Sequence, residues 1–406
     1  MIKNIPVKNW LGRLAEYACL LYIVMLYLFA DNAQFIQIAN ICFVIFAIFA
    51  ILNIVNRGEL VVGINFWIAA LFVTFSFCSV LWAVNGDYVI SKTTTMIQLF
   101  VFFVLMINTF YEEKKVDHIL NAMLFAGLCL SVYSLYIYRF DTVLLSMVGG
   151  QRLGGVISQE NTFGMLLATT VVLCAYYLIF EGKRVMIVLA ILPFLMSISS
   201  GSRKAVIIIL VGIIALFFVK YGFKKLHKFI IVAIVLLALS NYLIQLPMFY
   251  TINLRWEGMI NMLNGSGVVE ESAALRLSLI QQGLEWFKES PIIGHGLANF
   301  RVLSMNSFGI EVYAHNNFIE LLVGLGIIGF AIYYSMYAYI LIKLWPQARK
   351  KNTEVIAIYI LLLIRLIMDY GSVSYDSKIV WVYLALGFIA VAKYGSKNKI
   401  ALIRNT

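Results

Sequence analysis

His315 and Asn316 stand just ahead of an apolar segment, at the end of the longest polar stretch in the chain, residues 249–316. A neutral imidazole at such a place can take a proton from a hydroxyl. The helix N-terminus beside it can hold an anionic group such as a phosphate. The same residues also fit a plainer role: Asn317 with Glu320 three positions on has the spacing of a capping pair, with His315 merely flanking it. A second polar island, Ser199-Ser200-Gly201-Ser202-Arg203-Lys204, separates two very apolar segments. Its two cations can bind phosphate, Arg203 by a two-point contact, or reach out to lipid headgroups. Arg152 and Glu160 in the stretch 141–161, with Arg255, Arg276 and Arg301 in the long polar stretch, complete the candidates. One loop arginine says little by itself, whereas several at one mouth make a site for a polyanion. Arg365 and Asp369 lie four apart inside an apolar segment, where a lone charge is costly, and this spacing predicts an internal ion pair.

The missing patterns narrow the chemistry. No outward-facing H-E-x-x-H or D-x-D is present, Glu270-Glu271 lacks a partner pattern for a metal, and there is neither a P-loop nor a nucleophile elbow. An enzyme built on these residues is expected to work without metal or nucleotide cofactor.

The elements that must position these groups follow from composition. With 62% hydrophobic and 13% charged residues and a mean hydropathy of +0.91, the chain is too apolar for a soluble globule. Apolar runs approaching the ~20 residues that cross a bilayer recur along the sequence, which predicts a helical integral membrane protein rather than a barrel of short alternating strands. The predicted spans are 14–30, 35–55, 61–82, 94–110, 118–138, 162–180, 185–200, 205–220, 229–248, 317–342, 355–370 and 378–394. Cys19, Cys42, Cys78, Cys129 and Cys174 all fall inside apolar segments, so neither disulfides nor thiolate metal sites are expected. Lys3, Lys8 and Arg13 precede the first apolar run without an A-x-A cleavage site, which reads as a first span with a cytoplasmic N-terminus.

That orientation puts most of the 31 basic residues, but only a minority of the 20 acidic ones, on the cytoplasmic face with both termini. The net charge of +11 is therefore an orientation signal with some attraction to anionic lipid, and nucleic acid is not an expected partner. Residues 249–316 then face outward. Within them, Leu277, Ile280, Leu284 and Phe287 recur at helical spacing. They predict an amphipathic helix over 272–289 with Ser272 as cap, lying on the membrane surface or over the bundle mouth as a lid. Ser290-Pro291 stops it, Gly294 and Gly296 make a tight turn, and Gly324, Gly326 and Gly329 read as close-packing positions. Residues 1–406 form one membrane domain.

The motifs resemble those of the O-antigen ligase and polymerase superfamily, the WaaL-type ligases and Wzy-type polysaccharide polymerases. His315-Asn316, nine residues, then Gly326-Ile327-Ile328-Gly329 is similar to the family's HN-x9-G-x-x-G signature. Arg203 with Ile207 resembles R-x-x-x-L, Ile replacing Leu. Arg276 through Pro291 to Gly294-His295-Gly296 resembles the family's Arg, helix and P-x-x-G-x-G pattern, and Arg152 through Asn161 its R-x-x-G…N loop.

The resemblance implies a glycosyltransferase of the broad GT-C type in the bacterial inner membrane. Its donor would be a glycan on undecaprenyl diphosphate at the outer face, and its acceptor another glycan or lipid. It would work among other polysaccharide-assembly membrane proteins. The resemblance further implies that Arg203, Arg276 and His315 line the active site. Asn316, Arg152, Glu160, Lys204, Arg255 and Arg301 are the accompanying substrate-binding candidates. The short chain and compact outer loop favour a polymerase over a ligase. A six-plus-six transporter is disfavoured, because the connection after the sixth span is short and the long excursion lies after the ninth.

Overall fold

The computed structural model describes residues 10–111, 115–148, 151–222, 250–264, 271–395 and 401–404, with isolated positions between 231 and 242. The first eight helices are α1 Trp10–Phe29, α2 Ile36–Arg57, α3 Ile64–Cys78, α4 Gly86–Phe110, α5 Val116–Val148, α6 Glu160–Glu181, α7 Met186–Ser199 and α8 Arg203–Tyr221. They are followed by α9 Tyr250–Asn264, α10 Glu271–Glu289, α11 Phe300–Phe308, α12 Asn317–Arg349, α13 Thr353–Met368 and α14 Lys378–Tyr394. A helix occupies every predicted span but 229–248, where only isolated positions are described, each of them helical. Eight of these helices are long and apolar enough to cross a membrane: α1 to α6, α8 and α12, with α3 extended by a 3-10 turn to Leu81.

Burial sorts them into centre and rim. The apolar window of α6 is 72% buried and that of α2 only 22%, so α6 is a central helix and α2 turns most of its side chains outward. In α14 the run Val380–Ala390 is buried without interruption. Glycines mark where helices come closest: a Cβ on Gly212 of α8 would strike Val172 of α6, and one on Gly387 of α14 would strike Ile340 of α12.

The structure corrects several expectations. Residues 249–316 hold, beside the expected helix α10, two unexpected helices, α9 and α11. Ser272 is the second residue of α10 rather than its cap, and residues 265–270 lie outside the described residues. The buried stripe of α10 is also offset from the expected one. Leu277 and Leu284 are exposed, while Leu279 and Trp286 are buried with Phe300, Ala314, Ile319 and Val323, and Leu275, Ile280 and Phe287 flank them. Gly283 causes the offset: Ile319 of α12 packs where its side chain would stand, so the contacting face carries a residue with no apolar signature. Similarly, α5 continues to Val148 across a break at Arg139 (φ 57°, ψ 151°), taking in part of the stretch read as a loop.

Candidate active site

The two glycine-bearing motifs are halves of one contact. α12 breaks at Gly326 (φ 62°, ψ −168°), which frees the amides just after it from their helical partners. Pro291 and Ile292 supply replacements: the Ile327 amide donates to the Pro291 carbonyl at 2.9 Å and the Ile328 amide to Ile292 at 3.3 Å. One step on, the His295 amide donates to Val323 and the Gly296 amide to Gly324, both at 2.8 Å. Backbone meets backbone so closely that a Cβ on Gly294 would stand 2.6 Å from Gly324 and Gly326 atoms. The far side of the same loop is stitched to the turn before α4. Asn299 Oδ1 accepts from the Asn85 amide at 2.7 Å, the Leu297 amide donates to Ser79 Oγ, and the Trp82 indole donates to Ile293. This clamp fixes the start of α11, and with it Arg301.

A buried polar network holds the other end of α12. Asp369 is fully buried; it accepts from Arg365 Nη2 at 2.8 Å, Ser374 Oγ at 2.7 Å and the Tyr334 hydroxyl at 2.9 Å. The predicted i,i+4 pair is thus formed, and it has partners that the spacing did not suggest. Asn317 joins the same network: its Nδ2 donates to Tyr334 at 2.8 Å and its Oδ1 accepts from the amides of Ser374 and Tyr375. Asn317 is therefore not the cap. Asn316 is, with Oδ1 accepting from the amides of Phe318 and Ile319 at 2.9 and 3.1 Å. Glu320 does reach back across the helix start, but to the Ala314 amide at 2.8 Å.

Between these two supports, the chain passes through Tyr313 and His315. The latter adopts the left-handed conformation (φ 53°) that side chains seldom take. Its ring lies 4.1 Å from that of Tyr313, centre to centre, and the Arg301 guanidinium sits 5.4 Å above the other ring. Burial pushes the His315 pKa down to about 4, helped by the positive charges of Arg276, Lys204 and Arg301. His315 is therefore neutral near pH 7. The three cations come from three separate elements, α10, α8 and α11, and all act on one imidazole.

His315 opens on a cavity of about 290 Å³. Its charged and aromatic lining includes Lys204, Arg301, Arg365, Glu320, Tyr313 and an ion pair of Lys92 with Asp376 (2.6 Å), and its neutral polar lining includes Gln159, Asn161 and Thr162. Met165, Leu166, Ile208, Leu361 and Ile364 continue it as an apolar recess between α6, α8 and α13. Such a cavity can hold a group that is anionic at one end and greasy at the other.

The remaining candidates stand as follows. Arg276 is not among the lining residues and reaches His315 by its charge. Arg203 is the first residue of α8, directly before Lys204, and does not line the cavity. Arg152 braces the framework: Nε donates to the Ser200 carbonyl at 3.0 Å, Nη2 to Asn161 Oδ1 at 3.0 Å, and Nη1 lies 3.8 Å from Glu160. The 151–161 loop and the 199–204 turn are thereby joined beside the cavity. Arg255 lies on α9, and its side chain is outside the described residues. Sequence reasoning missed Lys92, Asp376, Asn299 and Tyr334. Lys92 carried a signal, a charge in an otherwise apolar segment, but it fell just outside the predicted span.

The chain is a polytopic helical membrane protein with a charged, partly apolar cavity at the junction of its α12 helix start and an ordered polar segment. Residues 188–334 match the family model Wzy_C, described as O-Antigen ligase, which is consistent with the superfamily that the motifs resemble. The matched stretch takes in α8, α10, α11, the His315 turn and the break at Gly326. A comparison with curated proteins gives no match.

Proposed function

We propose that this protein is a glycosyltransferase at the extracytoplasmic face of the bacterial inner membrane, a Wzy-type polymerase that extends glycans carried on undecaprenyl diphosphate. The observation that supports it is the meeting of Lys204, Arg276 and Arg301 around one neutral histidine inside the O-antigen-ligase-like domain. Breaking a sugar–diphosphate bond builds negative charge on the leaving group, and fixed cations in a desolvated cavity stabilise that charge. Arg203 adds its charge at the N-terminus of α8, where the helix end also favours an anion. The acceptor hydroxyl meets neutral His315, loses its proton inside the cavity, and attacks the anomeric carbon in a single inverting displacement. The apolar recess between α6, α8 and α13 takes the first part of the lipid. Both termini lie in the cytoplasm on this reading.

A ligase that passes the finished glycan to a lipid A core or another acceptor is the second reading, favoured by the description of the matched family. Purified protein given only the lipid-linked repeat separates the two. A ladder of longer glycans is the expected result; no product until a separate acceptor is added would sink the polymerase in favour of the ligase.

A further inference from the structure

The cavity holds a second group able to take a proton. Glu320, only 4% exposed, lines it together with His315. One carboxyl oxygen, Oε2, is fixed by the Ala314 amide, immediately before His315, and this is its only hydrogen bond among the described residues. The charges acting on the carboxyl group are Asp376, Arg301 and Lys92. The other acid lining the cavity, Asp376, is bonded to Lys92, and Asp369, which is not among the lining residues, is taken up by Arg365, Ser374 and Tyr334. Glu320 is thus the cavity acid with an edge to spare.

His315 is poorly suited to end as a cation. An imidazolium would form beside Arg276, Lys204 and Arg301, which together with burial hold its pKa at about 4. Its ring is better used neutral, bonded to the attacking hydroxyl. Arg301 acts on both groups, and its charge favours a carboxylate at Glu320 where it disfavours an imidazolium at His315.

We infer that Glu320 is the catalytic base of the transfer. The acceptor oxygen forms its bond to the anomeric carbon, the bond from that carbon to the diphosphate oxygen breaks with its electron pair leaving on the diphosphate, and the acceptor's proton passes to the Glu320 carboxylate. This rests on the glycosyl-transfer reading above.

The test uses the full chain in lipid nanodiscs with a lipid-linked repeat as substrate. Glu320→Gln keeps an oxygen for the Ala314 amide, so a merely structural Glu320 is replaced without loss. The expected result is an unchanged melting temperature and donor KM with kcat lowered about 100-fold or more, the scale of general-base catalysis. Formate should restore part of the rate to Glu320→Ala. A Glu320→Gln protein within about fivefold of the wild-type kcat overturns the inference. Should that variant melt early, formate decides: recovery of Glu320→Ala supports the base, and no recovery overturns it. An inactive wild type sinks the glycosyl-transfer reading and the inference with it; an active wild type beside an active Glu320→Gln sinks the inference alone.

Discussion

Replacing Gly294 by Ala tests the clamp between the 291–296 loop and the break in α12. Gly294 has φ +70°, and the added Cβ would meet the Gly324 carbonyl group and the Gly326 amide nitrogen at 2.6 Å, backbone atoms that cannot swing aside. The left-handed conformation costs a side-chain-bearing residue about 1–2 kcal/mol, and forcing a methyl into packed atoms adds about 1–3 kcal/mol. A loss of about 3 kcal/mol in the contact means about a hundredfold more opening. Hydrogen exchange at the Ile327 and Ile328 amides reads this directly, since their acceptors are Pro291 and Ile292. Gly309→Ala is the control: its φ is +69°, but no atom lies within 4 Å of the added Cβ. It carries the backbone cost alone, about thirtyfold at most. Equal exchange at Ile327 in the two variants would refute the close-contact argument. Activity should fall in Gly294→Ala as well, because the loop sets the position of Arg301.

Further outcomes follow from the same geometry. His315→Ala is expected to fold and bind the lipid-linked donor while forming no new glycosidic bond; full turnover in that variant would remove His315 from the reaction. Asp369→Asn leaves Arg365 without its counter-charge in a buried network, a cost of about 3–5 kcal/mol, seen as a large drop in melting temperature; an unchanged melt contradicts the network's role. Arg276→Gln should raise the His315 pKa from about 4 toward the ordinary 6.5, since one of the charges holding it down is gone. The chain's four histidines keep the NMR titration tractable, and an unmoved His315 would place Arg276 elsewhere. The sign of the linked stability is fixed: with the folded pKa lowered, the unfolded chain holds the extra proton between about pH 4 and 6.5. The His315 share of stability is complete above pH 6.5 and drains away as pH falls toward 4.

Much of this was legible from hydropathy and motif spacing. Long apolar runs announce helices because a bilayer demands that backbone groups be satisfied within the segment. The Arg365–Asp369 pair was readable because a charge at that depth needs a neighbour one turn away. What the sequence hid depends on residues that meet through backbone or across long separations. The capping role went to Asn316 rather than Asn317 because Asn317 is claimed by Ser374 and Tyr375, more than fifty positions on. The packed face of α10 was misjudged because Gly283 is invisible to any hydrophobic periodicity. Lys92 and Asp376 reveal themselves as cavity groups only once α4 and the turn before α14 are side by side.

The Asn317 network also says something about biogenesis. A chain entering the membrane from its N-terminus has made the start of α12 long before residues 369–375 exist. Until that later hairpin is inserted, Asn317 lacks the amides of Ser374 and Tyr375, and the carboxylate that organises Tyr334 and Arg365 is absent. The turn bearing His315 therefore receives this support only after α13 has followed α12 into the membrane. A product truncated after α12 would leave Asn317 and Tyr334 without these partners, and the turn bearing His315 without that support.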